Sequence, residues 1–398
     1  IVIDANAYYG IHAKTLSMSS FGLTITGNYY GIYAESGGVV INGDLIVLNN
    51  TNYGIYLPGG LYVSGLMVYI DANEYGISVS SLKIIATNVT VMDNRYGIIT
   101  DYMNVTANIT IIQLNEYGIK AGYGIISSDL LVSSNTYGLY VTHSLGTLLI
   151  TGEVLVQLNE HGIVSYGELI LLNIMASNNT YAVEVMSGGK VTIYYGGIYN
   201  NSEAGVLLNG GEFYAERIAI AMNKYGIKAS YSEFTLYNVT IVYNEYGIYA
   251  DNCYGVIYLS NIFGNKKHGV YHTVYYAGSY AIIARKVYWG SPEGPEYSET
   301  ADEVDPEEIY GVIYWEEPLG NLVGQPAPTT VTVTESSTVT STYTEERIEI
   351  LVSTVASTMT ISEVSPSVYL ILSIIVAIIA VALIMAVARK RTVVAEAE

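Results

Sequence analysis

The chain is poor in positive charge. Only 16 of its 398 residues are Lys or Arg, against 36 Asp and Glu, for a formal net charge of −20. With no basic surface to displace counterions from phosphates, nucleic acid is excluded as a partner. Charged residues of both signs make up 13% of the chain, about half the usual share. A single cysteine, Cys253, excludes an internal disulfide framework and reads as a small buried apolar residue. The first residues, IVIDAN, open as a strand, with neither the basic n-region nor the apolar h-region of a secretory signal.

What is abundant is Tyr (40) and Gly (39), and both recur in step. The stretch NEYGIYA at 244–250 is nearly repeated as NEYGIKA at 115–121. Aligned on its glycine, the YGI element returns at Gly10, Gly31, Gly54, Gly76, Gly97, Gly118, Gly138, Gly162, Gly205, Gly226, Gly247 and Gly269, with Ala182 in the ninth place. The twelve intervals between residues 10 and 269 average about 21.6 residues, a period that demands a solenoid. Leucine-rich repeats share the period but require a Leu pattern and a helical half that are missing here. Each unit instead holds short period-2 apolar runs, such as SEFTLY, NVTIVYN and YGIYA, divided by turn residues. Three short strands per unit predict an all-β fold, a parallel β-helix of about 13 coils.

The alternation assigns faces. Position +1 from the glycine is Ile, Leu or Val in every copy, and +3 is usually small or apolar, so both point inward. Position +2 (Tyr56, Lys120, Glu184, Tyr249) is expected to face water. The glycine is expected to adopt a backbone conformation costly for other residues. Asn at −3 (Asn73, Asn94, Asn115, Asn135, Asn223, Asn244) suits a turn and a stacked amide ladder. Tyr fills −1 in most copies, with His161 and His268 as aromatic stand-ins, and predicts a column of stacked rings. Position −2 alternates in sign, Glu74, Arg95, Glu116 and later Glu203, Lys224, Glu245, Lys267, which predicts exposed charge ladders of small energetic value.

These residues resemble the right-handed parallel β-helix repeat proteins of the pectate-lyase-like superfamily, most closely its NosD-like branch. There N-x-x-G-I coils recur at about this period, and the domain closes with an element like Trp289-Gly290-Ser291-Pro292-Glu293-Gly294-Pro295. The resemblance covers about residues 1–320. It implies repeats at 1–290, a C-terminal cap at 291–322 that uses Trp289 and Trp315, and a right-handed coil. It implies little about chemistry, since the superfamily mixes lyases, hydrolases, adhesins and structural proteins.

Beyond the repeats, Ser and Thr supply 19 of the 43 residues from 325 to 367, so 323–367 reads as an extended, O-glycosylated stalk. Val368 to Ala388 is 21 residues without a charge, about 31 Å of helix, which spans a lipid bilayer. Arg389, Lys390 and Arg391 place the tail, 389–398, in the cytoplasm and the repeats outside the cell. The missing export signal and uncapped first coil imply that the chain is a mature form or a fragment. Rod, stalk and anchor together resemble archaeal-type membrane-anchored envelope proteins.

Candidate sites are few. Glu212 and Glu233 lie at equivalent places in adjacent coils and Glu168 two coils earlier, with Lys190 expected one step out of register. This is the single carboxylate cluster that could serve a glycoside hydrolase or lyase. Tyr33, Tyr56, Tyr140, Tyr249 and Tyr271, at +2, offer rings to glycans or envelope proteins. Sequons occur at Asn49, Asn88, Asn104, Asn108, Asn178, Asn200 and Asn238. The acids between 293 and 308 could hold calcium but fit no EF-hand spacing, and the five histidines lack metal-ligand spacing. The expected function is a non-enzymatic, membrane-anchored binding or envelope protein; a membrane-tethered polysaccharide lyase or hydrolase is the alternative.

Overall fold

The computed structural model of the chain describes residues 1–142, 146–275, 280–295, 309–311, 313–320 and 322–323, together with two short strands, Val331–Thr332 and Thr360–Ile361. Two units separate, Ile1–Val323 and Gly324–Glu398. The first is a parallel β-solenoid of about 13 turns, and its described residues contain strands but no helix. In the second unit the two short strands pair antiparallel. The membrane helix expected at 368–388, the tail, and nearly all of the stalk lie outside the described residues. Among the described residues no helix is long and apolar enough to cross a membrane.

One coil shows how the sequence builds the solenoid. Tyr75–Ile85 supplies the first two strand directions and Asn88–Met92 the third, before the chain turns into Tyr96 of the next coil. Each strand pairs in parallel with its counterpart one coil away, Tyr75 to Tyr96, Ile77 to Ile98 and Asn88 to Ile109. Three sheets result: a first that carries YGI, a second, and a third that ends at the Asn turn. Ile32, Ile55, Ile77, Ile98 and Ile119 are no more than 2% exposed, as are their counterparts through Val270, and form one of the inward columns. Burying such a side chain contributes about 1.5–3 kcal/mol, repeated in every coil.

The Asn ladder is longer than the −3 spacing predicts. Coils with one extra turn residue keep their Asn at −4, so it runs unbroken through Asn6, Asn28, Asn50 and Asn73 to Asn201, Asn223, Asn244 and Asn265. Each amide nitrogen donates to the next amide oxygen at 2.7–3.1 Å, and that oxygen also accepts the backbone N–H of the preceding Asn, as for Asn94 on Asn115 at 3.0 Å. The residue before each Asn is left-handed, including Leu114 and Leu158 (φ 57°), Met222 (59°) and Tyr243 (56°). A left-handed L-residue costs roughly 1–2 kcal/mol. The turn tolerates that cost because the ladder satisfies every buried amide around it.

The YGI glycine does not behave as expected. None of these glycines has a positive φ. What excludes a side chain is space: a Cβ at Gly97 would lie 2.5 Å from the Gly118 carbonyl oxygen and closer still to Val91 Cγ1. The same Ile or Val blocks the glycine in other coils, for instance Ile70 at Gly76 and Val132 at Gly138. Where the glycine is replaced, at Ala182, the residue six positions earlier is Ala176 instead of Ile or Val, and both alanines are fully buried.

The C-terminal end adds a partial coil. Ile309–Gly311 pairs with His268–Thr273, and Ile313–Glu316 pairs with Ile282–Tyr288. Trp289 is 1% exposed, whereas Trp315 is 38% exposed and faces Gly294.

Candidate functional site

On the outer face of the second sheet, the register aligns Glu168, Lys190, Glu212 and Glu233 in consecutive coils. Lys190 is thus in step with the acids, not one position off, because a two-glycine turn before it absorbs the longer coil. Its ammonium lies 3.5 Å from the Glu212 carboxylate, and Glu168 accepts from the Thr147 hydroxyl. Two residues further along, Thr192, Tyr214 and Thr235 form the next outward column. Between these columns runs an open groove of about 350 Å³ over the buried rings of Phe213 and Phe234. The Tyr214 phenol donates to Glu216 at 3.1 Å, and the Tyr194 ring lies 6.2 Å from the Tyr214 ring, tilted at 59°.

Chemically this is a shelf of carboxylate, ammonium and hydroxyl groups beside an aromatic face. Such a set hydrogen-bonds a polyol from several sides. Glu212 and Glu233 sit on adjacent strands about 4.8 Å apart, near the carboxyl separation of retaining glycosidases. Glu212 is 59% exposed and Glu233 is also exposed, so no enclosed cleft surrounds the pair. Thr192, Tyr214 and Thr235 escaped the sequence reading, although period-2 alternation from each acid points to them.

The first sheet carries the tyrosines. From Tyr9 to Tyr137 the −1 rings stack, at 4.4 Å for Tyr53–Tyr75 and 4.6 Å for Tyr117–Tyr137, and His161 continues the stack at 4.6 Å and 5°. Tyr181 follows, Ala204 interrupts, and Tyr225 resumes with Tyr246. The five +2 tyrosines are half-buried and do not form one site. Tyr33 stacks on Tyr56 at 4.9 Å near one end and Tyr249 on Tyr271 at 4.8 Å near the other. Tyr140 stands between them beside Lys120, and burial pushes its phenol up to about 12.

Position +2 does not always face water. Glu184 is 5% exposed and Val164 4%. The Glu184 carboxylate folds against the aromatic column and meets His161 Nδ1 at 2.5 Å, while His161 Nε2 lies 3.8 Å from Glu160. Burial raises the Glu184 carboxyl above its usual range despite the opposing pull of His161. His272 is buried in the core column, accepting the Cys253 N–H at 3.4 Å, and burial raises the Cys253 thiol.

The charge ladders form as spaced: Arg95 bridges Glu74 at 2.6 Å and Glu116 at 3.1 Å, Lys224 meets Glu203 at 2.8 Å, and Lys267 meets Glu245 at 2.7 Å. Asn49, Asn178 and Asn200 are exposed left-handed residues next to a ladder Asn, so those sequons arise where Asn is already favoured by the turn. Asn88 and Asn108 are exposed, Asn104 and Asn238 half-buried. Among the described residues no three His, Cys, Asp or Glu side chains converge to hold a metal. The acids from 296 to 308, and His143, lie outside them. No family model, curated protein or solved structure matches the chain.

Proposed function

We propose that the chain is a membrane-anchored, extracellular binding rod that recognises glycans through its second sheet without cleaving them. The groove beside Lys190, Glu212 and Glu233 carries this reading, because it sets a charged column beside a hydroxyl-bearing one on the paired strands of the solenoid. Assignment to the right-handed, pectate-lyase-like group with its NosD-like branch belongs to the same proposal, supported by the N-x-x-G-I coils and the Trp289 to Pro295 element. Anchoring rests on the uncharged run from Val368 to Ala388, and surface display in an archaeal-type envelope on that run with the Ser/Thr-rich segment before it.

The second reading, a tethered lyase or hydrolase, has one observation in its favour: the spacing of Glu212 and Glu233 on adjacent strands. A polysaccharide screen of the full chain in detergent, read for retention and for cleavage products together, separates the two. Retention without products, weakened about tenfold by Glu212→Gln with Glu233→Gln, supports the binding rod. Products abolished by the same pair of substitutions would establish the enzyme instead.

A further inference from the structure

A second surface, on the first sheet and remote in sequence from the groove, has a different chemistry. In the first three coils the −2, −1 and +2 positions place nine side chains in a three-by-three array. Its rows are Tyr8, Tyr9 and His12, then Tyr29, Tyr30 and Tyr33, then Asn52, Tyr53 and Tyr56; strand register aligns His12, Tyr33 and Tyr56, and aligns Tyr9 with Tyr30. Eight of the nine are aromatic. None is an acid, Lys or Arg, in a chain of net charge −20, and the next coil restores charge at the position of Asn52 with Glu74.

The seven tyrosines form a herringbone, while His12 stacks on Tyr9 at 4.2 Å and 16°. The central column stacks, Tyr9 on Tyr30 at 5.1 Å and 18° and Tyr30 on Tyr53 at 6.0 Å and 9°. On one flank Tyr8 and Tyr29 are parallel within 17°, yet each stands nearly perpendicular to its central neighbour, at 79° and 82°. On the other flank Tyr33 and Tyr56 are parallel within 13° and lie at 66° and 65° to Tyr30 and Tyr53. Normals that differ this much cannot all follow the rod axis. Some of the columns therefore turn their ring faces away from the rod axis. Tyr8 and Tyr29 are 58% and 37% exposed.

We propose that this array is a docking face for an uncharged polysaccharide. A pyranose ring has an apolar C–H face and a hydroxyl rim, which match a tyrosine face and the phenols around it. An apolar protein or lipid surface would strip water from a phenol at nearly every ring without replacing its hydrogen bonds, and so is disfavoured. A basic partner would be drawn to the acids elsewhere on the rod, and an acidic one is repelled by the chain's charge. The rings are held by their mutual contacts, so little rotamer freedom is lost on binding. Groups recur about every 4.8 Å along the axis, so an extended neutral chain meets equivalent contacts at successive sugars.

The test is depletion of the full chain in detergent by insoluble cellulose and chitin, compared with soluble pectate and alginate. Expected is retention on at least one neutral polymer, weakened tenfold or more by Tyr29→Ala with Tyr33→Ala. Tyr29→Phe with Tyr33→Phe keeps the herringbone and should weaken retention two- to fivefold, so a folding defect in the alanine variant, visible by circular dichroism, leaves the proposal testable. It is overturned by no retention on either neutral polymer, by tighter binding to the charged polymers, or by retention that both tyrosine pairs leave unchanged. Loss through the carboxylate variant alone would assign binding to the groove, and tyrosine-dependent self-association in sedimentation would assign the array to a second copy of the chain.

Discussion

Glu184 shows how one residue can depart from its column. Like Val164 beside it, Glu184 is buried at +2, and its carboxylate turns back onto His161, which itself replaces a tyrosine in the stack. The groups that face the pair are Glu160, across the Nε2 side of His161, and the phenols of Tyr137 and Tyr181 above and below the ring. Burial raises the Glu184 carboxyl, so the folded chain favours its protonated form more than the unfolded chain does. The associated stability is fully present below the ordinary carboxyl value of 4.5 and is lost as pH rises through the raised folded value. Thermal melts of the wild type and Glu184→Gln across that window should therefore converge at the acidic end. Above it the Gln variant should be relatively more stable; a difference independent of pH would refute this account.

At the scale of the element, each coil depends on a close approach between the end of its third strand and the start of the next coil's first strand. Gly97 and Val91 form one such contact, and Ala182 with Ala176 is the exchange this chain already contains. Gly97→Ala alone forces the new methyl against Val91 and the Gly118 carbonyl, an overpacking cost of about 1–3 kcal/mol. Val91→Ala alone leaves a cavity worth about 2 kcal/mol. The double variant should recover about 1 kcal/mol or more relative to their sum, measured by denaturant unfolding in a double-mutant cycle. Strict additivity would show that the carbonyl alone sets the limit. The charge ladders belong to this scale too, but Arg95 and its two partners are substantially exposed, and water screens such pairs so that they contribute little.

The solenoid as a whole is quasi-one-dimensional, since each coil touches mainly its neighbours. Among the described residues, the Asn ladder runs as a continuous polar feature from Asn6 to Asn265. Asn135 donates to Asn159 at 2.9 Å and to two backbone carbonyls, and accepts from the side chain and backbone of Asn115 at 3.0 Å. Asn135→Ala would orphan several buried groups at once, costing about 3–5 kcal/mol. Because the lesion lies mid-rod, unfolding followed by circular dichroism should split into two transitions, one for each side. A single transition at lower denaturant would show that coil contacts alone keep the rod cooperative.

The repeating period, the all-β class, the inward columns and the alternating charges were legible from spacing alone, because every coil must place the same groups in the same register. The acids Glu168, Glu212 and Glu233 were legible for the same reason, while Lys190 was misplaced because turn length, not residue count, sets register. Spacing also hid part of the Asn ladder, since an extra turn residue shifts the count without shifting the side chain. Sequence determined which residues stack. Only the tertiary structure decided which stacked residues meet across a corner: the Val91 methyl that makes Gly97 obligatory, the perpendicular flanks of Tyr30, and the fold of Glu184 onto His161. Those contacts join positions several residues apart around a bend, where side-chain volume and ring orientation govern the outcome and period carries no information.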